Sequence, residues 1–206
     1  AMLYDYLINN YDKDEPIFLS ELPGNSKDYI RQEMKQLVDE GKIERLYNGV
    51  YYLAYTTILG TKGKVSINKF VEKKYIYPKG VVSGYITGIQ FANMYGFTTQ
   101  NPAYIEVCSN EATTRQRKLD VAGRKIIVYK PLAQITEENR SALQFLDLMS
   151  TIDRYSELSG EDLQKKLKDF VKQFNIDFGK VKEYISLFPD RVYRNIYQGG
   201  LMSELV

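Results

Sequence analysis

The sequence predicts an α+β fold in two parts, a small N-terminal domain followed by a larger α+β domain with a helical C-terminal tail. Three observations predict it. The first third of the chain alternates short helical and strand-like runs and places Asn48-Gly49 between two of the latter. Tyr104–Cys108 and Lys125–Tyr129 are short runs rich in β-branched and aromatic residues, which favour strands. From Thr136 onward apolar residues recur at helical spacing. With 206 residues and 44% hydrophobic content the chain can bury a core in each part, and we place the domains at 1–58 and 59–206.

In the N-terminal domain, Leu3, Tyr6 and Leu7 share one face of a short helix over Met2–Asn10. After the charged break Asp12–Pro16, Ile17-Phe18-Leu19 is long enough only for an edge strand or an extended entry to the next turn. Ser20 then caps a single helical turn ending near Pro23-Gly24. Ser26–Glu40 is the clearest helix: Ser26 caps it, Ile30, Met34, Leu37 and Val38 form its apolar stripe, and Gly41 stops it. Lys42–Tyr47, Asn48-Gly49 and Val50–Leu53 read as a β-hairpin with a type I′ turn, which needs positive φ at both central residues. This order of elements is that of a winged helix-turn-helix, whose second motif helix enters the major groove while the hairpin forms a wing.

Residues 56–64, with Gly60 and Gly63, read as a linker or mobile entry to the second domain. Helices are expected around Ser66–Lys74 and Ser83–Tyr95, with a turn at Tyr77–Gly80 between them and a stop at Gly96. Gly84 and Gly88 fall inside the second helical pattern, where close packing explains them. The basic stretch between the two strands is a loop or hairpin, and Pro131 ends the second strand. Helices follow over Thr136–Ile152, Gly160–Phe174 and Phe178–Phe188, with a short piece after Pro189.

Composition excludes more than it selects. The chain has no histidine, on which most general-base, nucleophile-activating and zinc-site designs depend. Cys108 is the only cysteine, so no intramolecular disulfide or Cys-rich zinc site can form, and it reads as a small buried hydrophobe. No apolar run approaches the roughly 20 residues that cross a bilayer, and no secretory leader precedes the first helix, so a soluble cytoplasmic protein is expected. Ala1 ahead of Met2 reads as a remnant of tag removal. A nuclease-like site built on Glu106 and Asp120 fails because Cys108 stands where a Glu-x-Lys arrangement needs lysine. We therefore expect no catalysis, no metal and no cofactor.

The net charge of +2 does not announce nucleic-acid binding, and residues 1–63 hold seven Lys and Arg against ten Asp and Glu. DNA contact must then rest on a few cations gathered on one face. On the long helix, Ser26 and Lys27 are candidates for phosphate at the helix N-terminus, and Tyr29, Arg31, Gln32 and Lys35 for the groove. Gln pairs bidentately with adenine, and Arg or Lys with guanine. In the wing, Lys42 and Arg45 are candidates for phosphate and Asn48 for the minor groove. Lys62 and Lys64 near the linker, and Arg115, Arg117 and Lys118 between the strands, form candidate secondary basic surfaces, either a longer phosphate track or plain solvated surface. The bland alternative for the whole face is a solvated helix and a hairpin whose tyrosines pack.

The "EGKIERLYNGVYYL" hairpin, the "VVSGYITGIQFANMYGF" segment, the "PAYIEVCSN" strand and the "LQFLDLM" helix, in that order, resemble the AbiE-type antitoxin family of prokaryotic abortive-infection systems. The resemblance covers most of the chain. It implies a transcription regulator whose winged helix binds an inverted repeat in its own promoter and represses its toxin–antitoxin operon, and whose C-terminal domain is associated with antitoxicity. It also implies a nucleotidyltransferase-like toxin as functional partner, without stable toxin–antitoxin binding as the expected mode of neutralisation. The alternative is a protein-interaction or ligand-responsive module whose winged helix does not bind DNA, and the acidic excess of residues 1–63 is its support.

Overall fold

The computed structural model describes residues 2–206, so the expectation about Ala1 lies outside the described residues. The chain is α+β and divides into two compact units. One runs up to Lys73 and includes Val121–Gly123; the other comprises Lys74–Asp120 and Arg124–Val206. Among the described residues no helix is long and apolar enough to cross a membrane.

The first unit contains α1 (Met2–Asn10), β1 (Ile17–Phe18), a 3-10 turn at Leu19–Glu21, α2 (Lys27–Asp39), β2 (Ile43–Tyr47), β3 (Val50–Leu53) and α3 (Ile67–Val71). The strands form an antiparallel sheet in the order β1-β3-β2. Leu7, Ile17, Ile30, Met34, Leu37, Ile43 and Leu53 make its core, so the stripe read along α2 is the face it buries. Ser26 caps α2, and beyond the helix Gly41 N–H donates to the Val38 carbonyl at 3.0 Å and Lys42 N–H to that of Leu37 at 2.9 Å. This paired closure satisfies two of the carbonyls a helix end leaves open.

The β2–β3 turn departs from expectation. Gly49 has φ 69° but Asn48 is not in the left-handed region, so the turn is not type I′. The register slips between Arg45 and Tyr47, and this one-residue bulge accommodates a turn in which only the glycine is left-handed. Residues 56–64 are an ordered turn, with Thr57 N–H donating to the Thr61 carbonyl at 2.8 Å and the Tyr55 hydroxyl to that of Lys64 at 2.9 Å. Beyond it, Lys69 pairs with Asp14 at 2.9 Å and Lys73 with Glu15 at 2.7 Å, while the Phe70 ring stacks on Phe18 with centroids 6.0 Å apart. These links join residues 64–73 to the first unit, so the compact division falls at 73/74 where we expected 58/59.

In the second unit, β4 (Gly84–Ile86) and α4 (Gly88–Met94) stand where a single helix was expected. Two glycines explain the difference. A Cβ on Gly84 would lie 2.4 Å from the Tyr75 carbonyl oxygen and 2.7 Å from that of Cys108, so this strand needs a residue without one. Gly88 takes φ 69° and so begins α4 afresh. Then come β5 (Ile105–Ser109), β6 (Gln116–Val121) and β7 (Arg124–Tyr129), in a sheet ordered β4-β5-β7-β6. β4 is antiparallel and β7 parallel to β5. Of the two readings of the basic stretch the hairpin is the one seen, and its Ala122-Gly123 turn, with φ 51° and 82°, has the double positive φ that Asn48-Gly49 lacks.

Four helices complete the unit: α5 (Arg140–Tyr155), α6 (Gly160–Gln173), α7 (Phe178–Tyr184), which ends in a 3-10 turn at Ile185–Leu187, and α8 (Arg191–Gln198). α5 starts later than the expected Thr136 because Thr136 and Asn139 first close a turn on each other, at 2.7 and 3.2 Å. Its Leu143, Phe145, Leu146, Met149 and Ile152 are at the centre of the core that α4, α6, α7 and α8 complete.

Candidate nucleic-acid interface and a cavity in the second unit

The outward face of α2 is exposed at Lys27, Arg31, Gln32 and Lys35, and Tyr29 is 60% exposed. At 100° per residue Lys27, Arg31 and Lys35, four residues apart, form one row along an edge of this face. Glu33 and Glu40 occupy the other edge, with Gln32 and Gln36 between, while the exposed Asp39, four residues beyond Lys35, ends the row. No acid falls between the three cations, but Asp28 flanks them and pairs with Arg31 at 3.5 Å, an exposed pair of the kind that contributes little. Ser26 is used locally: its Oγ accepts from the Tyr29 amide at 3.3 Å. The Tyr29 phenol bonds the Glu33 carboxylate, which raises its pKa above the ordinary tyrosine range.

At the hairpin tip Arg45 and Asn48 come together. Nη2 of Arg45 donates to Oδ1 of Asn48 at 2.8 Å and Nε to the Tyr47 carbonyl at 3.4 Å, so the guanidinium is held in one orientation at the turn. Lys42 is not part of this pair. Its ammonium sits 3.2 Å from Glu40, whose pKa it lowers, and 5.0 Å over the Tyr4 ring.

The candidate secondary surfaces behave differently from each other. Lys62 is exposed but bonds Glu44 at 2.8 Å, a carboxylate that also accepts from the Tyr52 hydroxyl, so little of its charge is free for a polyanion. Lys64 is exposed. In the second unit Arg115, Arg117 and Lys118 are all exposed, with the Lys118 ammonium 5.6 Å over the Tyr104 ring. Arg115 lines the mouth of a cavity of about 550 Å³.

That cavity lies between the sheet and α5. Its floor is one sheet face: Tyr85 and Tyr129 each pair in register with Cys108, and Glu106 lies two residues along the same strand. The Tyr85 hydroxyl donates to Oδ2 of Asp147 on α5. The Tyr129 hydroxyl donates to Oε1 of Glu106 at 2.9 Å, and the Ile89 amide at the start of α4 donates to Oε2 at 3.0 Å. Glu106 therefore caps α4 from the neighbouring strand, where Thr87 makes no side-chain cap. Burial raises the Asp147 carboxyl to about 6 against the opposing effect of the Tyr85 bond. Burial, then the nearby Asp147 charge, raise the Cys108 thiol to about 12, which makes it the inert buried sulfur that was expected.

Of the cavity's buried polar groups the sequence points only to Glu106, and there only as part of the rejected nuclease-like pair with Asp120. Asp147 sits one residue after Leu146 in a helix otherwise read for its stripe, and Tyr85 lay in the mis-assigned helix. The one available signal was a carboxylate bordering the apolar face of α5. Comparison with protein-family models, curated proteins and solved structures returned no match.

Proposed function

We propose that the first unit is a winged helix-turn-helix and that the chain is a DNA-binding, antitoxin-like transcription regulator acting on its own toxin–antitoxin operon. The cationic row Lys27–Arg31–Lys35 on the exposed face of α2 carries this reading. In it α2 enters the major groove, Gln32 and Arg31 read base edges, and Lys27 and Lys35 meet phosphates. The Arg45–Asn48 pair forms the tip of the wing, pre-oriented for the adjacent backbone or minor groove. Lys42 and Ser26 serve the unit's own structure in the free protein. The functional partner in this reading is a nucleotidyltransferase-like toxin, and the setting is the prokaryotic cytoplasm.

A second reading, a protein-interaction module, is favoured by the acid edge of α2 and by the Tyr29–Glu33 bond, which together present a mixed, near-neutral surface. Fluorescence anisotropy with a labelled duplex from the gene's upstream region separates the two. Salt-sensitive, sequence-selective binding by the parent, lost in the Arg31→Ala/Lys35→Ala/Arg45→Ala variant, is the expected result. A folded parent that binds no duplex rejects DNA recognition and leaves the interaction module.

A further inference from the structure

The 550 Å³ cavity of the second unit has two ends of opposite chemistry. We propose that it binds a small phosphate ester bearing hydrogen-bond donors, oriented with the phosphate at the arginine-lined mouth and a donor on the open oxygen of Asp147. The volume lies within the range of about 300–1,000 Å³ typical of small-molecule sites.

The exposed part of the lining, which forms the mouth, carries Arg115, Lys130, Arg154 and Arg191. Among the described residues none of these four is in an ion pair, whereas Arg194, on the same helix as Arg191, pairs with Asp153 at 3.3 Å. Exposed cations without ion-pair partners lining one cavity favour an anion, and guanidinium groups favour phosphate because their forked donors match its oxygens. Arg191 is pre-oriented: its Nε donates to the Ser150 carbonyl at 2.6 Å, leaving its terminal nitrogens for a ligand. The Arg154 guanidinium lies 5.5 Å over the Tyr155 ring.

The floor has the complementary character. A carboxylate only accepts hydrogen bonds, so Asp147 calls for an N–H or O–H donor, whereas both Glu106 oxygens already accept from Tyr129 and Ile89. Oδ2 of Asp147 is taken by Tyr85, while Oδ1 accepts no hydrogen bond among the described residues. Asp147 and Arg154 lie on the same helix seven positions apart, which at 1.5 Å per residue separates the two ends by roughly 10 Å. A phosphate ester of that length is a mononucleotide or a hexose phosphate, donating from base N–H groups or from sugar hydroxyls. The inference concerns the second unit alone and stands whether or not the first unit binds DNA.

Isothermal titration of the full chain with the four 5′-ribonucleoside monophosphates, with glucose and fructose 6-phosphates, and with inorganic phosphate tests it. Saturable binding of an ester at least tenfold tighter than inorganic phosphate is expected, with the matched nucleoside or free sugar weakened at least tenfold. Which series binds identifies the source of the ester. Arg154→Gln and Arg115→Gln, both exposed and outside the core, should each weaken binding at least fivefold, and Lys118→Gln, outside the cavity, should not. Equal thermal midpoints without ligand establish that the variants are folded. No saturable binding by any ester, binding no tighter than inorganic phosphate (an adventitious ion only), or affinity unaltered in both arginine variants overturns the proposal.

Discussion

At the scale of single residues, Asp147 shows how burial sets a titration. Its carboxyl is raised to about 6 because the low-dielectric wall of the cavity disfavours the charged form more than the Tyr85 hydroxyl favours it. An acid raised in the folded state relative to the unfolded chain favours folding only while protonated. Ionisation of the unfolded chain begins first, near the ordinary value of 3.8, and the relative stability declines from there until pH passes about 6. Two units correspond to about 3 kcal/mol at most. Asp147→Asn keeps an acceptor for Tyr85 and removes the charge. It is expected to raise stability by up to about that amount at pH 7.5 and to change it little at pH 4, read by urea denaturation at both pH values. An equal effect at the two pH values would show that Asp147 is not held in a desolvating environment.

At the scale of elements, the junction of β4, α4 and β5 depends on Gly88. A Cβ there would stand 2.1 Å from Oε2 of Glu106, and the backbone has φ 69°. Gly88→Ala therefore adds left-handed strain of about 1 kcal/mol and displaces the carboxylate from the Ile89 amide, leaving a buried donor at a further cost of about 1–3 kcal/mol. A loss of roughly 2–4 kcal/mol in chemical unfolding is expected; a loss under about 0.5 kcal/mol would refute the capping role of Glu106. The same junction marks where the sequence stops being legible. α2 was readable because cap, stripe and stop all lie within its own residues. Ser83–Tyr95 was not, because Gly84 answers to Tyr75 and Cys108, and Gly88 to Glu106, partners that only the sheet brings near. The Asn48-Gly49 hairpin was legible as a hairpin but not in its turn type, since the bulge before it changes which residues must be left-handed. The cavity was invisible for a related reason: Tyr85, Glu106, Tyr129 and Asp147 come from four elements, and no local spacing joins them.

At the scale of the whole molecule, charge placement matters more than its sum. The acidic excess of residues 1–63 weighs against DNA binding when it is only counted. Extending the count to the unit's end at Lys73 gives ten Lys and Arg against eleven Asp and Glu, nearly balanced. Several of those acids are also occupied: Asp14, Glu15 and Glu44 are bonded to Lys69, Lys73 and Lys62. Few cations remain for a polyanion, principally Lys27, Arg31, Lys35 and Arg45. Each phosphate neutralised on duplex DNA contributes about −0.9 to the slope of log K against log salt. In the DNA complex we propose, with Arg31 on base edges rather than phosphate, three phosphate contacts remain, and the expected slope is about −3 per protomer. Lys35→Ala should reduce it by about one unit for every sequence alike, while Arg31→Ala should lower the preference for the operator over unrelated duplex and leave the slope nearly unchanged. A slope near zero in the parent would mean that the row on α2 meets no phosphate, and a slope of −8 or steeper per protomer would place most of the DNA contact on basic residues outside the first unit.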